Sequence, residues 1–114
     1  MAFGTKIAFE AVRELDFGDV SGTYIALGTP LANHVRLLSL QNGTNEEIYV
    51  SFDGVVDHIR MAENSFKLLD LSSNRVRDDG LFLAVGTQIY IKENLVTPTS
   101  GSFWAEVIYA EGGV

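Results

Sequence analysis

Turn residues led by glycine, asparagine or aspartate interrupt this chain roughly every 8 to 12 residues, and between them apolar side chains recur at every second position. No stretch keeps a helical apolar period for more than about two turns, so the layers of the fold must be sheets. The clearest segment is 46–62, EEIYVSFDGVVDHIRMA. Ile48, Val50 and Phe52 share one strand face, Asp53-Gly54 turns the chain, and Val55, Ile59 and Met61 return on the same side. Alternation on either side of an Asp-Gly pair predicts a β-hairpin, because glycine takes the positive φ of a tight turn.

The flanking segments extend the pattern. Residues 7–17 keep period 2 through Ile7, Phe9, Ala11, Leu15 and Phe17; a helical face through Ala8, Val12 and Leu15 competes, but the phenylalanines and the uncapped stop at Gly18 favour a strand. A short strand is expected over residues 24–27, near an edge, since Pro30 cannot donate to a ladder. Residues 34–41 read as a strand apolar on both faces, Val35 and Leu37 on one, Leu38 and Leu40 on the other. Asn42-Gly43 is the next turn; with Thr44 it forms a glycosylation sequon, which turn chemistry explains without glycosylation. Further strands are expected at 66–71, 81–85, 88–92 and 102–110, with loops at 72–80 and 93–101. The sum is about eight strands, which predicts an all-β antiparallel sandwich, jelly-roll or immunoglobulin-like, with a small barrel as the other arrangement.

A chain of 114 residues suits one domain over 1–114, with an aperiodic arm at 1–6 and a flexible tail at 111–114. The absence of cysteine excludes disulfides and thiolate chemistry. A net charge of −7 opposes binding to phosphate backbones. The first residues lack the apolar run of a signal peptide and no later run reaches the ~20 residues of a membrane span, so the expectation is a soluble product of a cytoplasm, without nucleic-acid or membrane partners.

No constellation of residues announces a reaction. His34 and His58 each stand alone in strands of mixed polarity, and Asp57 beside His58 points to the opposite face. No nucleophile-elbow, zinc-protease, phosphate-loop or dinucleotide pattern occurs. Asp78 and Asp79, with Asp70 and Asn74 near in sequence, are oxygen donors of the kind calcium takes, but their spacing fits no EF-hand. The expectation is a non-enzymatic protein without cofactor or metal. Apolar residues are in surplus: Trp104, Ile108, Leu38, Leu40, Tyr49 and Tyr90 fall opposite the faces assigned to the core. Either a partner covers them, burying on the order of 800 Å² a side, or a β-bulge returns some of them to the core.

The segments FEAVRELDFGDVSGTYIALGTPLANHVRLLSLQN, YVSFDGVVDH, NSFKLLDLSSNRVRDDGLFLAVGTQIYIK and PTSGSFWAEVIYAEG resemble small virion-associated proteins of tailed bacteriophages, over nearly the whole chain. The likeness rests on the Leu27-Gly28-Thr29-Pro30 turn, Ser51-Phe52-Asp53-Gly54, the Asp70-to-Asn74 strand end, Gly86-Thr87 before Ile89-Tyr90, and Thr99-Ser100-Gly101-Ser102 ahead of the last strand. It implies a structural role in the virion as a homo-oligomer or in contact with other virion proteins. Capsid decoration comes first, a neck, tail or fibre-attachment part second, and a carbohydrate-binding module with Trp104 or Tyr90 as stacking platform third. On that reading the contact residues are Arg75, Arg77, Asp78 and Asp79 in the first long loop, Val96 and Pro98 in the second, Trp104 with its strand, and Tyr90.

Overall fold

The computed structural model describes residues 6–70 and 83–111. Nine strands run through them: β1 (Lys6–Phe9), β2 (Arg13–Asp16), β3 (Ile25–Ala26), β4 (Val35–Asn42), β5 (Ile48–Ser51), β6 (Ile59–Met61), β7 (Ser65–Asp70), β8 (Tyr90–Glu93) and β9 (Ser102–Glu111). They form two antiparallel sheets. The five-stranded sheet has the order β1-β9-β4-β7, with β2 also on β9, and the four-stranded sheet the order β3-β8-β5-β6.

The order has a simple origin. β1 and β2 are two pieces of one broken strand, since both pair with β9. Counted as one, the first strand pairs with the last, β3 with β8, β4 with β7 and β5 with β6. The chain is therefore a long antiparallel ribbon doubled back at the β5–β6 hairpin. Rolling that ribbon brings β9 onto β4 and β8 onto β5. This is the jelly-roll sandwich. The segment 46–62, read first in the sequence, is the fold-back point.

The core lies between the sheets. β4 supplies Val35, Leu38 and Leu40, β9 supplies Phe103, Ala105 and Val107, and Ile48, Val50, Met61 and Ile91 face them from the other sheet. Here the face assignment of residues 34–41 is corrected, and of the two readings of the apolar surplus the bulge holds for Leu38 and Leu40. Leu38 and Leu40 are core residues on the same face as Val35, because the β4–β9 register shifts between Val35 and Leu37. One extra residue in a strand moves all later side chains to the other face.

Two more corrections concern turns. The strand expected over 7–17 breaks at residues 10–12, and Ile7 and Phe9 are 67% and 71% exposed. At the break the Glu10 carboxylate takes hydrogen bonds from the Ala32 amide (3.1 Å), Asn33 Nδ2 (2.9 Å) and Arg13 Nη2 (2.8 Å). Arg13 also donates to the Thr29 and Pro30 carbonyls, at 2.9 and 3.1 Å. Burial pushes the Glu10 carboxyl up, but those hydrogen bonds outweigh it and hold the group below its ordinary range. The central hairpin, in turn, does not close at Asp53-Gly54. Val50 pairs with Ile59, and the intervening loop is held by Asp53, whose Oδ1 accepts from the amides of Val55 (2.8 Å) and Val56 (2.9 Å). Val55 is consequently exposed rather than core-facing.

Asn42 ties one end of the sandwich. Its side chain is fully buried; Nδ2 donates toward the carbonyls of Glu46 (3.0 Å), Met61 (3.2 Å) and Ala62 (3.0 Å), and Oδ1 accepts from Thr44 N (3.0 Å) and Thr44 Oγ1 (2.6 Å). The sequon asparagine is thus spent on joining the two crossings between sheets, β4 to β5 and β6 to β7.

Candidate interaction surface

The two outer faces of the sandwich differ. On the four-stranded sheet, Tyr49, Arg60 and Lys92 are cross-strand neighbours and point away from the core. Arg60 Nη1 donates to Glu47 Oε2 at 2.9 Å, and Asn94 donates to the other oxygen of Glu47. Lys92 Nζ lies 3.3 Å from Asp57 Oδ1 and 4.8 Å from the centre of the Tyr24 ring, and Tyr24 donates its hydroxyl to Asp57. Burial, then this bond to Asp57, push the Tyr24 phenol far above its ordinary pKa. The same bond, with help from Lys92, keeps the Asp57 carboxyl below its own. Charges and donors on this face satisfy one another.

The five-stranded sheet is different. The outward positions of its ladder carry Ile7 and Phe9 on β1, Leu37, Ser39 and Gln41 on β4, Phe66, Leu68 and Asp70 on β7, and Trp104, Glu106 and Ile108 on β9. Phe9, Phe66 and Leu68 are 71%, 73% and 53% exposed. Between Phe9 and Leu68 lies a hollow of about 290 Å³ walled by Phe9, Val12, Leu37, Leu68 and Ile108, with Ser39 and Glu106 in it. The paired outward positions of β2, β4, β7 and β9 carry the acids Glu14, Asp16, Asp70 and Glu106, while Arg36 sits at the β4 bulge between the paired positions. Glu106 has no hydrogen-bond or ion-pair partner among the described residues.

The residues expected at a partner surface are dispersed. Arg75, Arg77, Asp78, Asp79 and Asn74 lie outside the described residues. Val96 is exposed in the loop after β8, whereas Pro98 is buried, and Asn45 and Thr99 exchange hydrogen bonds of 2.8 and 2.9 Å beside it. Trp104 does lie on the outer face of the five-stranded sheet, half-buried, with its ring over Gly43 so closely that a Cβ there would stand 2.4 Å from Cζ3. Tyr90 is on the opposite sheet, half-buried against Gly54. The structure therefore joins Trp104 and the Pro98 loop at the end of the sandwich tied by Asn42, and separates Tyr90 from both. Neither ring stands free as a stacking platform. Ile7, Phe9, Phe66, Leu68 and Glu106 were not among the expected contacts. The signal for the four apolar ones is the alternation of FKLLD and of KIAF, which shows a face but not which face is inside.

The histidines serve loops. His58 Nδ1 accepts from the Phe52 amide at 3.0 Å, and His34 Nδ1 from the Val85 amide at 3.1 Å. Among the described residues no three of His, Asp and Glu gather as a metal site, and no helix is long and apolar enough to cross a membrane. These features define a jelly-roll sandwich with one self-satisfied and one apolar outer face. No family model, no curated protein and no solved structure matches the chain.

Proposed function

We propose that this chain is a non-enzymatic structural protein that works by laying the outer face of its five-stranded sheet against another protein, as a capsid decoration protein of a tailed-phage virion does. The carrying observation is the contrast between the faces: one neutralises its own charges, the other exposes Phe66 and presents Phe9, Leu68 and Ile108 around the Glu106 carboxylate, which has no partner among the described residues. Contiguous exposed apolar surface on a soluble domain marks a place for a partner. The virion setting rests on the resemblance of the turn and strand-end segments.

The test is the copy number of the protein in purified particles, measured by quantitative mass spectrometry against the major capsid protein. Hundreds of copies support decoration, and particles carrying the double variant Phe9→Ser, Leu68→Ser should then contain far less of it. A count fitting a single ring assigns the protein to the neck or tail instead. Absence from the particle overturns the virion reading.

A further inference from the structure

We infer that the hollow around Glu106 receives a lysine or arginine side chain of the partner protein, its aliphatic stem against the apolar wall and its charged head on the Glu106 carboxylate. The inference rests on the docking reading above and names the chemistry of the surface that fits it. Three observations carry it. The hollow, about 290 Å³, is walled by Phe9, Val12, Leu37, Leu68 and Ile108, so it takes methylene groups. Its second carboxylate, Glu10, is already committed to Arg13, Asn33 and the Ala32 amide, which leaves Glu106 as the acid facing an incoming group.

The third observation is the sign of the surroundings. The outward ladder positions of β2 and β9 beside the hollow hold the acids Glu14 and Glu106. A second copy of this chain laid face to face would set these acids against their own counterparts, and the whole chain carries −7. Like charges brought together at an interface are unfavourable, whereas a cationic side chain desolvated against Glu106 gains a charge-assisted hydrogen bond. The occupant is therefore another protein with a basic residue set in an apolar patch, and the lone carboxylate selects it: an apolar surface without that residue buries Glu106 unpaired.

The experiment uses the full chain, isotopically labelled, and two small probes: hexylguanidinium, which has an alkyl stem and a cationic head, and hexanol, which has the stem alone. Amide chemical shifts locate and rank binding. The expected result is that hexylguanidinium moves the amides of Leu37, Ser39, Leu68, Glu106 and Ile108 and binds about ten-fold tighter than hexanol, a gap of ~1.4 kcal/mol. Glu106→Gln, an exposed substitution, should erase that gap while shifts elsewhere stay unchanged. Equal binding of the two probes, or a gap that survives Glu106→Gln, overturns the basic anchor but leaves an apolar docking face. If neither probe moves these amides, the docking face fails with it. A concentration-dependent dimer whose shifts fall on the same amides places a second copy there and overturns the inference.

Discussion

Asn42→Asp changes one NH₂ to one oxygen, and the geometry around it turns that change into a pH-dependent loss of stability. The wild-type amide has two hydrogens for three carbonyl oxygens, at 3.0, 3.2 and 3.0 Å, so at least one bond is shared. An aspartate keeps the acceptor used by Thr44 N and Thr44 Oγ1. Its other oxygen, however, faces carbonyls with nothing to donate. The side chain is 0% exposed, so the group folds as the neutral acid, which returns one donor. Holding a carboxyl protonated at pH 7 when its unfolded pKa is about 3.9 costs roughly 4 kcal/mol, at about 1.4 kcal/mol per pH unit.

The sign follows from linkage. A group whose folded pKa is raised is most stabilising below its unfolded pKa and loses that stability as pH rises toward the folded value. The deficit of Asn42→Asp relative to wild type should therefore be smallest below about pH 4 and grow by ~1.4 kcal/mol per unit above it. Asn42→Ala, which removes donors and acceptor together, should cost about 3 kcal/mol with no such slope. Urea unfolding from pH 3.5 to 7, followed by the fluorescence of the single tryptophan, Trp104, measures both. A pH-independent deficit for the aspartate, or an alanine cost below about 1 kcal/mol, would refute the view of Asn42 as a buried tie between the sheet crossings.

Three other outcomes are expected. Leu38→Ala should cost about 2–5 kcal/mol and Leu37→Ala less than about 1.5 by urea unfolding, because the bulge buries the first and leaves the second outward; equal costs would deny the bulge. Leu95 has φ +70° and is 93% exposed, so Leu95→Gly should raise stability by about 0.5–1 kcal/mol, and a loss would show that the leucine makes a contact the structure lacks. The bonds from the amides of Val56 and Val55, then Ser51, hold the Asp53 carboxyl down at about 2. Its contribution to loop order is complete above the ordinary value of about 3.9 and is lost as pH falls through about 2; a side-chain titration midpoint near 4 by NMR would contradict those bonds.

What the sequence disclosed depended on whether a feature is local. The all-β class, the fold-back hairpin and the inward Phe103-Ala105-Val107 face of β9 follow from alternation within one segment. The bulge at residues 35–37 does not, since VRLLSL has apolar residues at both parities and only pairing with β9 decides which are inside. The break at residues 10–12 was equally hidden. It depends on Ala32 and Asn33 reaching a carboxylate more than twenty positions away in sequence. The hairpin loop was misjudged for a related reason: Asp53-Gly54 offers a two-residue turn, but Asp53 and Ser51 side chains capture the loop amides and hold a wider one. The interaction surface was half legible. Trp104 and Ile108 are legible as surplus, while the alternation through Ile7 and Phe9 shows a strand face without saying that it is the outer one.

The position of the apolar excess is what the docking proposal has to explain. In an antiparallel sandwich, inward positions carry the core and outward positions face water, and the four-stranded sheet follows that rule with Tyr49, Arg60 and Lys92. On the five-stranded sheet the most exposed apolar groups are on β1 and β7, the two margins, where soluble proteins usually place charges to prevent edge-to-edge pairing. Phe66 at 73% exposed and Phe9 at 71% exposed contribute little burial to the isolated fold. They nevertheless add an aggregation hazard. On the docking proposal, a partner that covers the width of the sheet buries both margins and removes that hazard.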